Sequence, residues 1–216
     1  MDQQQKTERM AQIAARLEER YPDALCALEW NGEGWRLMVM GTLSAQCTDA
    51  RVNIVCRELF ARFPTAAALG EGDLAEIEEI VRPCGLFHVK AKNIKGACQK
   101  LVSDYGGRVP DTMEELLTLP GVGRKVANLL LGDLYRKGGT VADTHCIRIC
   151  GRFGMYPETL KDPLRVERLM DQLLPQDVRS DFCHRVVQFG RDVCTARAPA
   201  CSDCPVRPLC AHGQAN

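Results

Sequence analysis

The 216-residue chain has no apolar run approaching the ~20 residues that a bilayer-spanning helix needs; even Trp35 to Ala45, among the stretches poorest in polar groups, falls well short. Its N-terminus, MDQQQKTERM, lacks the apolar core of a secretory signal and carries Asp2 and Glu8, which a transit peptide avoids. An integral membrane protein is thereby excluded, and a cytosolic chain is expected. Net charge is also missing: 28 Lys and Arg balance 28 Asp and Glu, so total charge makes no case for a polyanionic partner. Gly (18) and Pro (11) are too few for a collagenous or low-complexity chain, and neither an internal repeat nor a polar linker occurs. No period-two apolar stretch bounded by hairpin turns stands out, which leaves little room for strands.

What is present is helical periodicity. Met10, Ile13, Leu17 and Tyr21 recur at three- and four-residue intervals and predict a helix ending near Pro22. Trp35 to Gln46 reads as a largely buried helix, and Val52, Val55, Cys56, Leu59 and Phe60 mark another, stopped by Pro64. The pattern continues over 66–69, 74–82 and 88–104, with Gly70, Gly85 and Gly106 as punctuation. Thr112 with Glu115 has capping-box spacing, 124–136 forms a further helix closed by Gly138 and Gly139, and Asp143 and Asp162 with Pro163 open two more. A last long helix spans 178–191, so the fold class expected is all-α with short connections.

Charge is segregated along the chain even though its total vanishes. An acidic block, Glu71 to Glu79, precedes Arg82, Lys90, Lys92, Lys95 and Lys100, and local positive potential of that kind suffices for binding a phosphate backbone. The same lysines would also serve as a solvated helix face.

Twelve cysteines in a cytosolic chain do not describe a disulfide framework, because that compartment keeps thiols reduced. Eight are scattered singly and read as small buried hydrophobes. The other four, Cys194, Cys201, Cys204 and Cys210, give C-x6-C-x2-C-x5-C within 17 residues and point to a metal. Structural zinc generally uses two short knuckles, and only Cys201 and Cys204 form one. A cubane iron-sulfur cluster accepts uneven gaps from one looping segment, so the spacing favours it over zinc. The ferredoxin run C-x2-C-x2-C-x3-C-P is absent, which argues against a dedicated electron carrier.

Between two expected helices lies LPGVGRK, residues 119–125. Gly121 and Gly123 permit a tight turn whose bare N–H groups point outward at a helix start, a place suited to a phosphate oxygen and blind to base sequence. The turn is not a Walker loop, which requires G-x4-G-K-[ST] after a strand. Lys125 falls in the first turn of the following helix, where the helix dipole and Arg124 both disfavour positive charge. It is a candidate phosphate contact or, given a carboxylate partner, a candidate nucleophilic amine. Asp143, in VADTH (141–145), is such a carboxylate, although its position also fits a simple helix cap.

Taken together, LSAQCTD (43–49), GLF (85–87) leading to KAKNI (90–94), LPGVGRKVAN (119–128), VADTH and the cysteine spacing resemble the endonuclease III family of helix-hairpin-helix DNA glycosylases and abasic-site lyases, from about residue 8 to 212. The resemblance implies two helical lobes flanking a DNA-binding cleft: a six-helix barrel with the hairpin over 27–138, and an iron-sulfur lobe from 1–26 and 139–216. It implies a monomer acting on double-stranded DNA with a damaged base or abasic site, no membrane partner, and a 4Fe-4S cluster on the four cysteines. By the same resemblance Lys125 is the nucleophile, Asp143 the essential carboxylate, Gln46 and Leu86 the groups entering the duplex, and Arg197 a phosphate contact. Read without the family, Gln46 is a helix-end amide and Leu86 a core residue. Two other functions remain in view. An adenine-specific mismatch glycosylase of this superfamily usually lacks the lysine and carries a further C-terminal domain, where this chain has six residues after Cys210. A non-catalytic DNA-binding module would not need Lys125 and Asp143 together.

Overall fold

The computed structural model describes residues 1–215, and among them every regular element is helical. Two compact units result, one from residues 1–25 with the chain from Arg136 onward, the other from Cys26–Tyr135.

The Cys26–Tyr135 unit is organised around α2 (Gly34–Leu43), in which Leu37 through Leu43 are all buried. A helix without a polar face must be covered on every side. Around it stand α3 (Asp49–Arg62), α4 (Ala66–Glu71), α5 (Leu74–Val81), α6 (Phe87–Tyr105), α7 (Met113–Leu116) and α8 (Arg124–Tyr135). Close approach of α8 to α2 depends on Gly41, where a Cβ would meet the Val126 side chain at 3.1 Å. Thr48, Thr65, Asp73 and Thr112 cap α3, α4, α5 and α7 through their side chains. At Thr112 the expected reciprocal box is not formed, since the Glu115 carboxylate accepts from the Thr112 hydroxyl at 2.7 Å and not from its backbone.

The other unit joins the two ends of the chain. Helix α1 (Gln3–Arg20) lays Met10, Ile13 and Leu17 against α11 (Arg179–Asp192), with Tyr21 edge-on to Phe189 at 6.5 Å. Between them in sequence come α9 (Thr144–Arg152) and α10 (Pro163–Asp171), both capped by the expected aspartates, Asp143 and Asp162. A short helix, α12 (Ala211–Ala215), follows the last cysteine. Packing of α9 on α11 requires Gly190, where a Cβ would stand 2.6 Å from the His145 ring.

The structure changes three local expectations. The helix expected over 35–46 stops at Leu43; Gln46 lies beyond it with φ +54°, in the left-handed region. The helix after the hairpin ends at Tyr135, and the left-handed residue that closes it is Arg136, φ +56°, instead of a glycine. The cysteines taken as isolated are not all so. Cys146 and Cys150 lie 4.0 Å apart, Cys183 bonds to Cys146, and the Cys47 and Cys84 thiols face each other.

Candidate active site and cysteine centre

The Cys26–Tyr135 unit carries the hairpin. Helix α7 ends at Leu116, the buried Leu119 and Val122 anchor the turn, and Val122 N–H donates to Leu119 C=O at 3.1 Å. Gly121 has φ +78°, and a Cβ there would meet Asn93 and Thr42 below 3.0 Å, so the position admits only glycine on two separate grounds. Gly123 differs: a Cβ built there meets nothing within 4 Å. No internal packing demands that glycine, and its bare backbone is open to whatever approaches the turn. Helix α8 then begins, with Arg124 and Lys125 exposed in its first turn.

Two further loops of this unit project side chains. Gln46 is exposed just after α2. Leu86 is 61% exposed with φ +49°, at the N-terminal boundary of α6, and so is not the core residue that its type alone suggests. An exposed large apolar side chain on a strained, non-glycine backbone is a combination that packing does not explain. The basic run behind it is less available than its sequence implies. Lys90 is buried, 4% exposed, with its ammonium donating to Cys84 C=O at 2.7 Å. Lys95 is spent on the carbonyls of Gly70 and Gly72, at 2.8 and 2.5 Å. Of the three lysines expected to face phosphate, only Lys92 stands exposed.

In the other unit Asp143 caps α9. Its Oδ1 accepts from Cys146 N–H at 2.7 Å, while Oδ2 lies 3.3 Å from His145 Nδ1. Backbone is wound tightly just before it, with Asp143 N–H donating to Val141 C=O at 2.8 Å. One carboxylate oxygen thus serves the fold and the other faces a titratable ring. Beneath the first turn, burial and the surrounding thiols push Cys146 and Cys183 well up, so both stay protonated and inert.

At the far end of α9 the four clustered cysteines line one cavity, together with Phe153, Phe189 and Val193. Among the described residues no three of these sulfurs lie within 4.8 Å of one another. Tetrahedral zinc, with Zn–S of about 2.3 Å, would draw its ligand sulfurs to about 3.8 Å, so the cage is too open for a single ion. Cationic and backbone donors already point at the sulfurs: Arg152 Nη1 at 3.3 Å from Cys194 Sγ, and Gly213 N–H at 3.3 Å from Cys210 Sγ. Arg152, itself buried, also holds the Thr195 and Ala196 carbonyls, and Arg16 of α1 holds Pro205 C=O at 2.9 Å. These arginines are absent from the sequence reading, where no local pattern separates a loop-clamping arginine from a solvated one. Arg197 is exposed in the loop between Cys194 and Cys201. Burial pushes the Cys204 and Cys210 thiols up, which a bound cation would reverse.

Comparison with known proteins fits this geometry. The sequence profile described as HhH-GPD superfamily base excision DNA repair protein matches residues 39–176. An endonuclease III of Synechocystis sp. is 45% identical over 98% of this chain and 95% of its own, and that of Bacillus subtilis is 37% identical over 90% and 88%. A solved structure of a trapped endonuclease III–DNA covalent intermediate superposes with a TM-score of 0.88 at 34% identity, covering all of this chain and 98% of that one. The chain therefore belongs to the HhH-GPD superfamily of base excision DNA repair proteins and, within it, to the endonuclease III family, which makes it a DNA repair glycosylase. No helix among the described residues is long and apolar enough to cross a membrane.

Proposed function

We propose that the protein is a bifunctional DNA glycosylase and abasic-site lyase that removes oxidised pyrimidines from duplex DNA. The observation that carries this reading is an exposed lysine, Lys125, set immediately after an outward-facing glycine turn. Backbone N–H groups of that turn hold a phosphate, which brings a sugar near the amine without reading the bases. The covalent protein–DNA intermediate solved for a structural relative supports a lysine nucleophile.

In this mechanism the neutral amine of Lys125 attacks C1′ as the glycosidic bond breaks and the base leaves with the bonding electron pair, taking up a proton. The Asp143 carboxylate stabilises the positive character that develops on the sugar. Opening of the sugar ring gives an iminium, which acidifies the C2′ proton. Loss of that proton expels the 3′ phosphate, and water then hydrolyses the imine to return the free lysine. Because a stacked base is out of reach, the nucleotide must first leave the helix, at a cost of a few kcal/mol. Gln46 and Leu86 fill the space it vacates.

Cys194, Cys201, Cys204 and Cys210 hold a 4Fe-4S cluster in the cage between α9, α11 and α12. The cluster supplies a covalent cross-link for a loop with little core of its own, and a redox-active iron centre. Purified protein should be brown, with about four iron atoms and matching sulfide per chain and little zinc. Cys204→Ser should lose colour and lower the melting temperature. A colourless, folded, zinc-loaded protein from anaerobic expression would overturn the cluster assignment.

The function is tested on three duplexes, bearing an oxidised thymine, an abasic site, or an adenine opposite guanine. Excision of the first with strand cleavage at both first and second is expected. Removal of adenine from the third alone would favour the mismatch-specific reading.

A further inference from the structure

Lys90 is a costly residue to bury, since an ammonium ion loses its hydration and needs partners in return. Methionine would fill a similar volume there without that cost. The reason for a lysine lies in what its two donors hold. Its Nζ donates to Cys84 C=O at 2.7 Å, and its own N–H donates to Leu86 C=O at 3.0 Å. Those two acceptors bracket the consecutive left-handed residues Gly85, φ +69°, and Leu86, φ +49°. A left-handed conformation at leucine is disfavoured on its own and persists only where the surroundings impose it. Nothing on the Leu86 side chain imposes it, as that side chain is 61% exposed, and no side chain caps α6 at this end. The same anchor reaches the second projecting loop, because the Cys84 thiol faces that of Cys47, the residue after Gln46.

We propose that Lys90 is a positioning residue: it locks the Gly85–Leu86 turn so that Leu86 is presented to the DNA helix, and it makes no phosphate contact itself. This rests on the wedge role given to Leu86 above. A locked wedge matters when a paired base must be displaced, and little when the lesion is already unpaired. A misplacement of about 1 Å in such a group is enough for rate losses of up to ~100-fold.

The test uses the full-length protein as Lys90→Met, Leu86→Ala and the double variant, in single-turnover excision of an oxidised thymine. One substrate pairs the lesion in a duplex and the other holds it in an unpaired bubble. Lys90→Met should be slower on the duplex by about tenfold or more and on the bubble by less than about threefold. In the Leu86→Ala background it should add no further loss, because both changes act through one wedge. The slope of log affinity against log salt should match the parent, whereas a lost phosphate contact lowers it by about one. Lys90→Gln keeps a donor without the charge; it should fall between parent and methionine variant, and it reads the same comparison if Lys90→Met does not fold. Equal losses on both substrates, additive losses in the double variant, or a reduced salt slope would each overturn the positioning role. A loss in Leu86→Ala without one in Lys90→Met overturns the Lys90 role alone. Parent-like rates for Leu86→Ala on the duplex overturn the wedge reading beneath it.

Discussion

Borohydride should fix the protein covalently to duplex DNA carrying an abasic site, and Lys125→Ala should give no such adduct. Hydride reduces a carbon–nitrogen double bond to an amine that water cannot cleave, and among side chains only a lysine amine forms such a bond with an aldehyde sugar. Alanine is a benign replacement in this place. Lys125 is exposed in the first turn of α8, it packs no core, and alanine is the best helix former. Folding should therefore be unchanged. Binding should persist, because Gly121, Gly123 and the helix start still present their N–H groups, with a salt slope lower by about one at most. Strand cleavage by the variant should fall below detection. Denaturing gels with and without borohydride, beside a thermal melt, provide the measurement. Robust cleavage or an undiminished adduct would withdraw the nucleophile from Lys125, an undiminished adduct placing it on another amine.

Much of the fold is written locally. Met10, Ile13 and Leu17 mark the buried face of α1, and Asp162 with Pro163 starts α10 where a cap and a first-turn proline predict it. The partner of each face is another matter. Nothing in residues 3–20 names α11, because periodicity gives a direction and not an address. Turn geometry was hidden where glycine was not the residue used: Gln46, Leu86 and Arg136 all adopt positive φ, and none of those residue types signals it. Lys90 is the instructive case. It stands four, seven and eleven residues before Ile94, Ala97 and Leu101, all buried on α6, so its register places it inside while its charge suggests the surface. Register was the better guide, because a hydrogen-bonded acceptor, Cys84 C=O, waits at the end of the side chain. The cysteine centre was legible for the opposite reason, as its ligands fall within one short segment. Cys146, Cys150 and Cys183 come together from two helices, and only the first two share a face by spacing.

The largest effect expected apart from the nucleophile comes from Asp143→Asn, which separates the two tasks of that side chain. Asparagine caps a helix about as well as aspartate, so its oxygen can keep the 2.7 Å bond from Cys146 N–H and stability should hold within ~1 kcal/mol. Its amide then faces His145 where the second carboxylate oxygen stood, 3.3 Å from Nδ1, and a neutral imidazole nitrogen can accept from it. Geometry is conserved and only the negative charge is lost. If that charge stabilises the sugar as the glycosidic bond breaks, base excision should slow by on the order of a hundredfold or more. Abasic-site cleavage should suffer less, since there the base has already gone and no glycosidic bond remains to be broken. Single-turnover rates on an oxidised-thymine duplex and on an abasic duplex, read beside a thermal melt, distinguish the outcomes. Parallel loss of folding and of both activities would show Asp143 to be a cap alone, and equal slowing of both steps in a stable variant would move its charge from bond breaking to a step the two reactions share.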